Sequence, residues 1–418
     1  MEQILDNELI PLQTNQSNLS GTILLSIMTL FERAGYYGVR AIIVLYAVDE
    51  GGLNMDQSNS LLFYSILTGV LLILPIPFGY LTDKFLGQTR SIYVGGILAC
   101  IGYALLTMNN PVVFYISFVL IVAGISLVKP STIILVGRQY KKEDRNRTLA
   151  YFIFFFGINL GAFLGSLAIG YAGEYYGWKW GFISAASFTI VYLILFKLFG
   201  SDIIQRESNT LKDSGIILKY KKMLPLLIIC ILVYMVYTKC SETASFSYTI
   251  EVIESGDKTI LGFELFNYMI NSISTFWSIP ISLAIFIYWK IKGVGSTFVI
   301  IRLSFIILIG FVLLRMLSFC INSEYSLDYA ILPLAMFALA DAIISPLITS
   351  YITRIADVNY SNTIYAMFIF LTYFLGAGFM YLIFHDYETV SILIILVLTI
   401  SLLFIFREFI DKLTHEID

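Results

Sequence analysis

The sequence predicts an all-α membrane protein of about twelve transmembrane helices in two six-helix bundles, and three observations carry that prediction. The 418-residue chain is 58% hydrophobic and only 13% charged, with mean hydropathy +0.83. A soluble chain of that make-up would expose more apolar surface than water tolerates. Apolar runs recur along the whole length, each long enough to cross a ~30 Å hydrocarbon core as a helix of ~20 residues. The longest polar stretch, SDIIQRESNTLKDSGIILKYKK over 201–222, falls between two sets of such runs and divides the chain into 1–200, the linker 201–222, and 223–418.

Taken in order, the first half holds spans near 21–48, 57–82, 91–108, 111–139, 148–172 and 178–200. The second holds spans near 223–250, 262–289, 296–321, 328–355, 361–385 and 388–408. The halves echo each other: LPIPFGYLTDKFLG places Pro75 ahead of Asp83, and SIPISLAIFIYWKIKG places Pro280 ahead of Lys290. Paired six-span halves with a solute site between them near the midplane are how many secondary transporters are built.

Orientation follows from lysine and arginine, which are held on the cytoplasmic side during insertion. Lys84 and Arg90, then Arg138, Lys141, Lys142, Arg145 and Arg147, then Lys212, Lys219, Lys221 and Lys222, then Lys290 and Lys292 fall in alternate loops. The other loops, around 49–56, 109–111, 251–257, 322–328 and 385–388, are acidic or nearly free of these residues. A multi-pass protein of the cell (inner) membrane with both termini cytoplasmic is expected. The opening MEQILDNELI has neither a basic region nor a small-residue cleavage site and does not read as a signal peptide. A net charge of -3 points to no nucleic-acid partner.

Cysteine and histidine add little chemistry. Cys100, Cys230, Cys240 and Cys320 are scattered without metal-ligand spacing and read as small core residues. His385 and His415 sit in a loop and in the tail. No metal, no cofactor and no enzymatic nucleophile are expected.

The charges inside the spans are the informative residues. TLFERAGYYGVRAIIVLY (29–46) carries Glu32, Arg33, Tyr36, Tyr37 and Arg40 within one span. Ionisable side chains at the bilayer centre cost roughly 2.5–3.5 kcal/mol each on insertion scales, so they persist where they face a wet or paired interior. At 1.5 Å per residue, Glu32 lies about 16 Å above the cytoplasmic end of span one and Lys129 about 15 Å above that of span four, which allows an ion pair between them. Arg40 and Glu242 lie about two-thirds of the way across, and Asp341 close to the middle, by the same rise. Cations in the first half opposing carboxylates in the second suit a zwitterion. Lys239, three residues before Glu242, is spaced to pair with it.

These residues resemble the proton-coupled oligopeptide transporters of the major facilitator superfamily. TLFERAGYYG is similar to the family's first-helix pattern E-x-x-E-R-F-x-Y-Y-G at Glu32, Arg33, Tyr36, Tyr37 and Gly38, followed by Arg40, and departs from it at Thr29 and Ala34. GYLTDKFLGQTR (79–90) resembles the loop between helices two and three, and ISLVKPS (125–131) carries the helix-four lysine as Lys129. FFFGINLGAFLGSLAIGYAGEYYGWKWGF (154–182) resembles the fifth-helix signature and includes Asn159. SETAS (241–245) with Glu242, Asn271 ahead of Pro280, and DAIISP (341–346) with Asp341 in place of glutamate extend a thinner likeness through the second half.

The resemblance implies a major facilitator fold and alternating access. A short peptide's carboxylate would meet Arg40 and Lys129, its amine Glu242 with help from Asn159 and Asn271, and its side chains Tyr36 and Tyr37. Protons would couple through Glu32, Arg33, Lys129, Glu242 and Asp341. The implied partners are small-molecule substrate, protons and membrane lipid, with the protein a monomer. Blander readings stand beside these. Glu32–Arg33 serves equally as a structural lock, the two tyrosines as core aromatics, and Asp83 and Arg90 as gating or packing contacts. The loss of the first motif glutamate at Thr29 also leaves room for a facilitator, a transporter-derived receptor, or a carrier of amino acids, anions or modified peptides.

Overall fold

The computed structural model describes residues 16–142, 144, 146–213, 224–240, 259–260, 263–264, 273–293, 297–321, 331–383 and 388–405. Each expected span carries a helix there. The first half is α1 (Gln16–Val48), α2 (Gln57–Ile73, resumed after Leu74 as Pro75–Leu81), α3 (Gly87–Leu105), α4 (Pro111–Arg138), α5 (Asn146–Tyr176) and α6 (Trp178–Asp213). The second half is α7 (Leu224–Cys240), α8 (Ile273–Lys292), α9 (Thr297–Ile321), α10 (Ile331–Ile355), α11 (Ser361–Ile383) and α12 (Glu388–Ile405). Five helical stretches among the described residues are, by length and composition, able to cross a membrane. Lys84, Arg138, Lys142 and Arg147 all meet residues 350–361 of the second half, and this end of the molecule is called here the basic end.

Local chemistry sets the helix boundaries. Asp56 caps α2 by accepting from the Asn59 amide at 3.1 Å. Asn110 caps α4 by accepting from the amides of Val112 and Val113, with Pro111 just inside, where its missing donor costs nothing. Arg138 closes α4, and Lys290 and Lys292 close α8, each complementing the negative end of its helix. α2 breaks at Leu74, ahead of Pro75, since proline has no amide to give. A π-turn over Thr82–Leu86 then leads to Gly87, whose φ of 70° suits glycine.

Two elements differ from expectation. α8 is described from Ile273, and Phe263–Glu264, inside the span expected from near 262, pairs with Thr259–Ile260 as a short antiparallel hairpin. Its β-branched and aromatic residues favour that geometry. α6 runs on to Asp213, so the first part of the expected linker is helical. Polar residues of good helix propensity extend a helix readily once it has left the membrane.

Small residues let the helices close on one another. Gly157, Gly161 and Gly165 on α5 face the backbone of Ser26, Leu30 and Ala34 on α1, leaving no space for a Cβ. Close backbone approach of this kind drives association where lipid removes the hydrophobic incentive. A Gly161→Leu substitution is expected to lower the detergent melting temperature, with about 1–3 kcal/mol of destabilisation or more. An unchanged melting curve would show that α1 and α5 can part without loss.

One apolar cluster joins the halves. It runs from Leu25, Val128 and Phe152 of the first half to Trp289, Phe305 and Ile352 of the second. Phe152 and Trp289 meet edge-on at 4.5 Å between ring centres. A second cluster, around Val39, Ile42, Tyr46, Phe114 and Phe182, belongs to the first half alone and lies toward the other end.

Candidate functional site

Arg33, Tyr36, Tyr37 and Arg40 recur at helical spacing and so share one face of α1. Arg33 is buried and forks onto its neighbour, donating from Nε and Nη2 to the two carboxylate oxygens of Glu32. Two parallel charge-assisted bonds are the strongest arrangement open to such a pair. The Arg33 guanidinium also lies 5.0 Å from the Tyr36 ring centre, and Tyr36 packs edge-on to Tyr37 at 4.9 Å. Arg40, half-buried, donates from Nε to the Tyr64 hydroxyl at 2.7 Å.

Lys129 does not pair with Glu32 as the depth argument allowed. Arg33 occupies both Glu32 oxygens, and Lys129 makes neither a hydrogen bond nor an ion pair among the described residues. Lys129 instead keeps accessible surface inside a small cavity that it lines with Arg33, Tyr36, Pro75 and Tyr365. Tyr365 comes from α11, so this cavity lies between the halves. Its volume of about 50 Å³ falls well below the ~300 Å³ at which small-molecule sites usually begin. Binding a small molecule here requires the halves to part further.

The second half contributes a carboxylate. Asp341 accepts from the Ser345 hydroxyl at 2.7 Å, and Ser345 in turn meets the Tyr234 hydroxyl at 3.1 Å. No cation among the described residues pairs with Asp341. Asn159 is half-buried on α5. Glu242 and Asn271 lie outside the described residues. A larger cavity of about 1030 Å³ opens at the other end of the first half, lined by Asp49, Gln57, Asn109, Glu174, Trp178 and Lys179 among others, and none of the expected site residues reaches it.

At the basic end polar contacts tie the halves together. The Asp83 carboxylate accepts from the backbone amides of Asn362 and Thr363 at 3.2 and 2.9 Å, and from the side chains of both at 2.7 Å. It thereby caps α11 of the opposite half, where a negative charge is favoured. Arg138 donates to the Val358 carbonyl and the Ser361 hydroxyl, both at 2.9 Å, and Lys142 to the Ala356 carbonyl at 3.1 Å. Arg147, buried at the start of α5, donates to the Ser350 carbonyl at 3.0 Å and the Thr353 hydroxyl at 3.1 Å. The basic end is closed. Asp83→Ala removes four acceptor contacts, and hydrogen bonds to charged groups contribute about 1.5–3 kcal/mol each. The expected outcome is a longer distance between spin labels on the basic ends of α2 and α11. An unaltered distance distribution would leave the cap without a gating role.

The match to known sequences can be set beside this geometry. The Major Facilitator Superfamily family model matches residues 25–408. The chain belongs to that superfamily. Within the superfamily it is similar to the uncharacterized transporter YclF of Bacillus subtilis (strain 168), at 37% identity over 182 residues, 43% of this chain and 37% of that one. It is also similar to the peptide transporter YePEPT of Yersinia enterocolitica, at 31% identity over 183 residues, 42% of this chain and 36% of that one. A third likeness is to a di-/tripeptide transporter of Lactococcus lactis subsp. lactis, at 33% identity over 171 residues, 38% of this chain and 34% of that one. The matches thus span little more than a third of each relative's length. In fold the chain resembles a POT family transporter solved with a thioalcohol-conjugated peptide, with TM-score 0.68 at 17% identity over 94% of this chain and 97% of that one. It also resembles a peptide transporter POT solved with sulfate, with TM-score 0.62 at 20% identity over 99% and 98%. Superfamily membership accounts for the two six-helix bundles and for a cavity placed between them.

Sequence reasoning missed several residues around this site. Tyr64 holds Arg40, Tyr365 closes the Lys129 cavity from the second half, and Tyr234 with Ser345 surrounds Asp341. Among 28 tyrosines nothing local marks these three.

Proposed function

We propose that this superfamily member is a secondary active transporter that carries di- or tripeptides together with protons by alternating access. The observation that carries the reading is the cation pair: Lys129 and Arg40 stand deep in the first half, one in the cavity between the halves and the other held by a neutral tyrosine. Charged groups at such depth persist for a function that meets them. The substrate carboxylate binds Arg40 and Lys129. Its amine binds Glu242 with Asn159 and Asn271 beside it, and Tyr36 and Tyr37 line the side-chain pockets. Glu32, Arg33, Lys129, Glu242 and Asp341 take part in proton coupling. The peptide-transporting relatives support this reading by their names, and the likeness to solved transporters supports the frame that it needs.

The working unit is a monomer in the inner membrane with both termini cytoplasmic. Residues 1–200 and 223–418 act as rocking bundles joined through 201–222. The closed basic end is then the cytoplasmic gate, and the contacts of Asp83, Arg138, Lys142 and Arg147 must break to release substrate inward. A proteoliposome uptake assay with a competition panel of di- and tripeptides, amino acids and inorganic anions tests the reading. Competition by peptides alone is expected. Competition by amino acids or anions without peptides would assign a different substrate. One observation favours a second reading, a facilitator without proton coupling: Thr29 stands where the resembled pattern has glutamate, and Glu32 is already committed to Arg33.

A further inference from the structure

A proton carried through Glu32 has to be held in a dry place. Glu32 is buried, and Arg33 occupies both of its oxygens. When substrate draws Arg33 away, the carboxyl left behind takes up a proton, because an unpaired charge at that depth is costly. The protonated acid then carries a donor of its own, and a buried donor needs an acceptor.

The titratable groups that face Glu32 among the described residues are Arg33 on α1, Tyr103 on α3, Lys129 on α4 and Tyr192 on α6. α5 turns glycines toward α1. The two cations favour the carboxylate over the acid, so the phenols alone are suited to the acid. Tyr103 lines a separate small cavity with Tyr36, Arg40 and Tyr64. Thr29, one turn from Glu32 on α1, brings a buried hydroxyl and no second carboxylate.

Helix register puts Tyr192 beside Glu32. α1 and α6 run antiparallel and touch at Gly35, where a Cβ would meet the Ala185 carbonyl and the Thr189 hydroxyl, both at 3.1 Å. One turn from that contact toward the basic end stands Glu32 on α1 and Tyr192 on α6. Tyr192 is buried, with Tyr93 of α3 also near it, and its hydroxyl makes no hydrogen bond of ordinary geometry. The adjacent Thr132 hydroxyl already donates to the Val128 carbonyl at 2.8 Å and offers Tyr192 an acceptor only. A phenol that turns its proton toward Thr132 keeps its own oxygen open to accept.

We propose that Tyr192 is the acceptor that holds the protonated form of Glu32, taking a hydrogen bond from the acid once Arg33 has turned to the substrate. This rests on the proton-coupling reading above and adds a positioning residue to it. The proton enters from the outer solution onto a Glu32 oxygen and leaves when Arg33 returns. Tyr192 keeps its own proton throughout.

The test measures uptake of radiolabelled Ala-Ala by the full chain in proteoliposomes against external pH, at fixed internal pH, for wild type and Tyr192→Phe. The substitution removes one oxygen and keeps the ring. Losing a hydrogen bond to the acid form lowers its proton affinity, so the half-maximal rate is expected about half to one pH unit more acidic in Tyr192→Phe. Peptide exchange at equal pH on both sides and the detergent melting temperature are expected to stay at wild-type values, since the hydroxyl has no bond to lose in the structure described. A wild-type pH midpoint in Tyr192→Phe would overturn the proposal and leave coupling standing. A Tyr192→Phe protein that melts lower or does not fold would show the hydroxyl already bonded at rest, and would overturn it too. Wild-type uptake that ignores external pH would remove the coupling reading and this proposal with it.

Discussion

Replacing Lys129 with alanine is expected to abolish concentrative peptide uptake in proteoliposomes. Lys129 is the cation that lines the cavity between the halves and, among the described residues, makes no bond to any protein group. Its ammonium is therefore available to a substrate carboxylate, unlike that of Arg33, whose donors are taken by Glu32. A desolvated charge-assisted bond contributes about 1.5–3 kcal/mol, so affinity should fall by about tenfold to a hundredfold before any effect on coupling is counted. Lys129→Arg keeps the charge but spreads it over a planar fork, and partial recovery is expected. A folded Lys129→Ala protein with wild-type uptake would place the substrate elsewhere, and Arg40→Ala measured beside it would show whether the first half recognises carboxylate at all.

Composition and charge made the spans legible, because a bilayer imposes the same length and polarity on every segment that crosses it. The exceptions are local. The hairpin of Thr259–Ile260 with Phe263–Glu264 overlaps the start of an expected span, and hydropathy alone does not separate a strand from a helix there. The candidate site stands out in the sequence on α1 and α4, where unusual residues cluster. It was not legible where an ordinary residue acquires its role from a distant neighbour. Arg147 reads as one more basic loop residue, yet it is buried and bonds Ser350 and Thr353, some two hundred positions on. Asp83 reads in the sequence as a gating or packing contact, but its partners Asn362 and Thr363, which belong to the other half, do not. The pairing of Glu32 with Lys129 that depth allowed does not form, for a nearer reason: an arginine next in sequence offers two donors in one plane, and a lysine across a helix interface offers a single point charge.

That fork also shapes the largest functional consequence expected of Glu32. Glu32→Gln should leave exchange of peptide across the proteoliposome membrane intact while removing the accumulation driven by an inwardly directed pH gradient. Proton coupling needs a carboxylate whose proton affinity changes when a neighbouring cation is engaged elsewhere. Glu32 meets that description through Arg33, which lines the cavity with Lys129, so a substrate drawn toward these cations alters the field at the carboxylate. With glutamine in place, one oxygen can still accept from Arg33, so the helix should pack as before, but no proton is bound or released. Retained exchange is the readout that separates lost coupling from lost folding. Thr29 leaves α1 with Glu32 as its single carboxylate. Wild-type protein that merely equilibrates peptide, with no response to pH gradient or membrane potential, would identify a facilitator and end the coupling claim. A Thr29→Glu variant that then gained gradient dependence would name the missing acid as the cause.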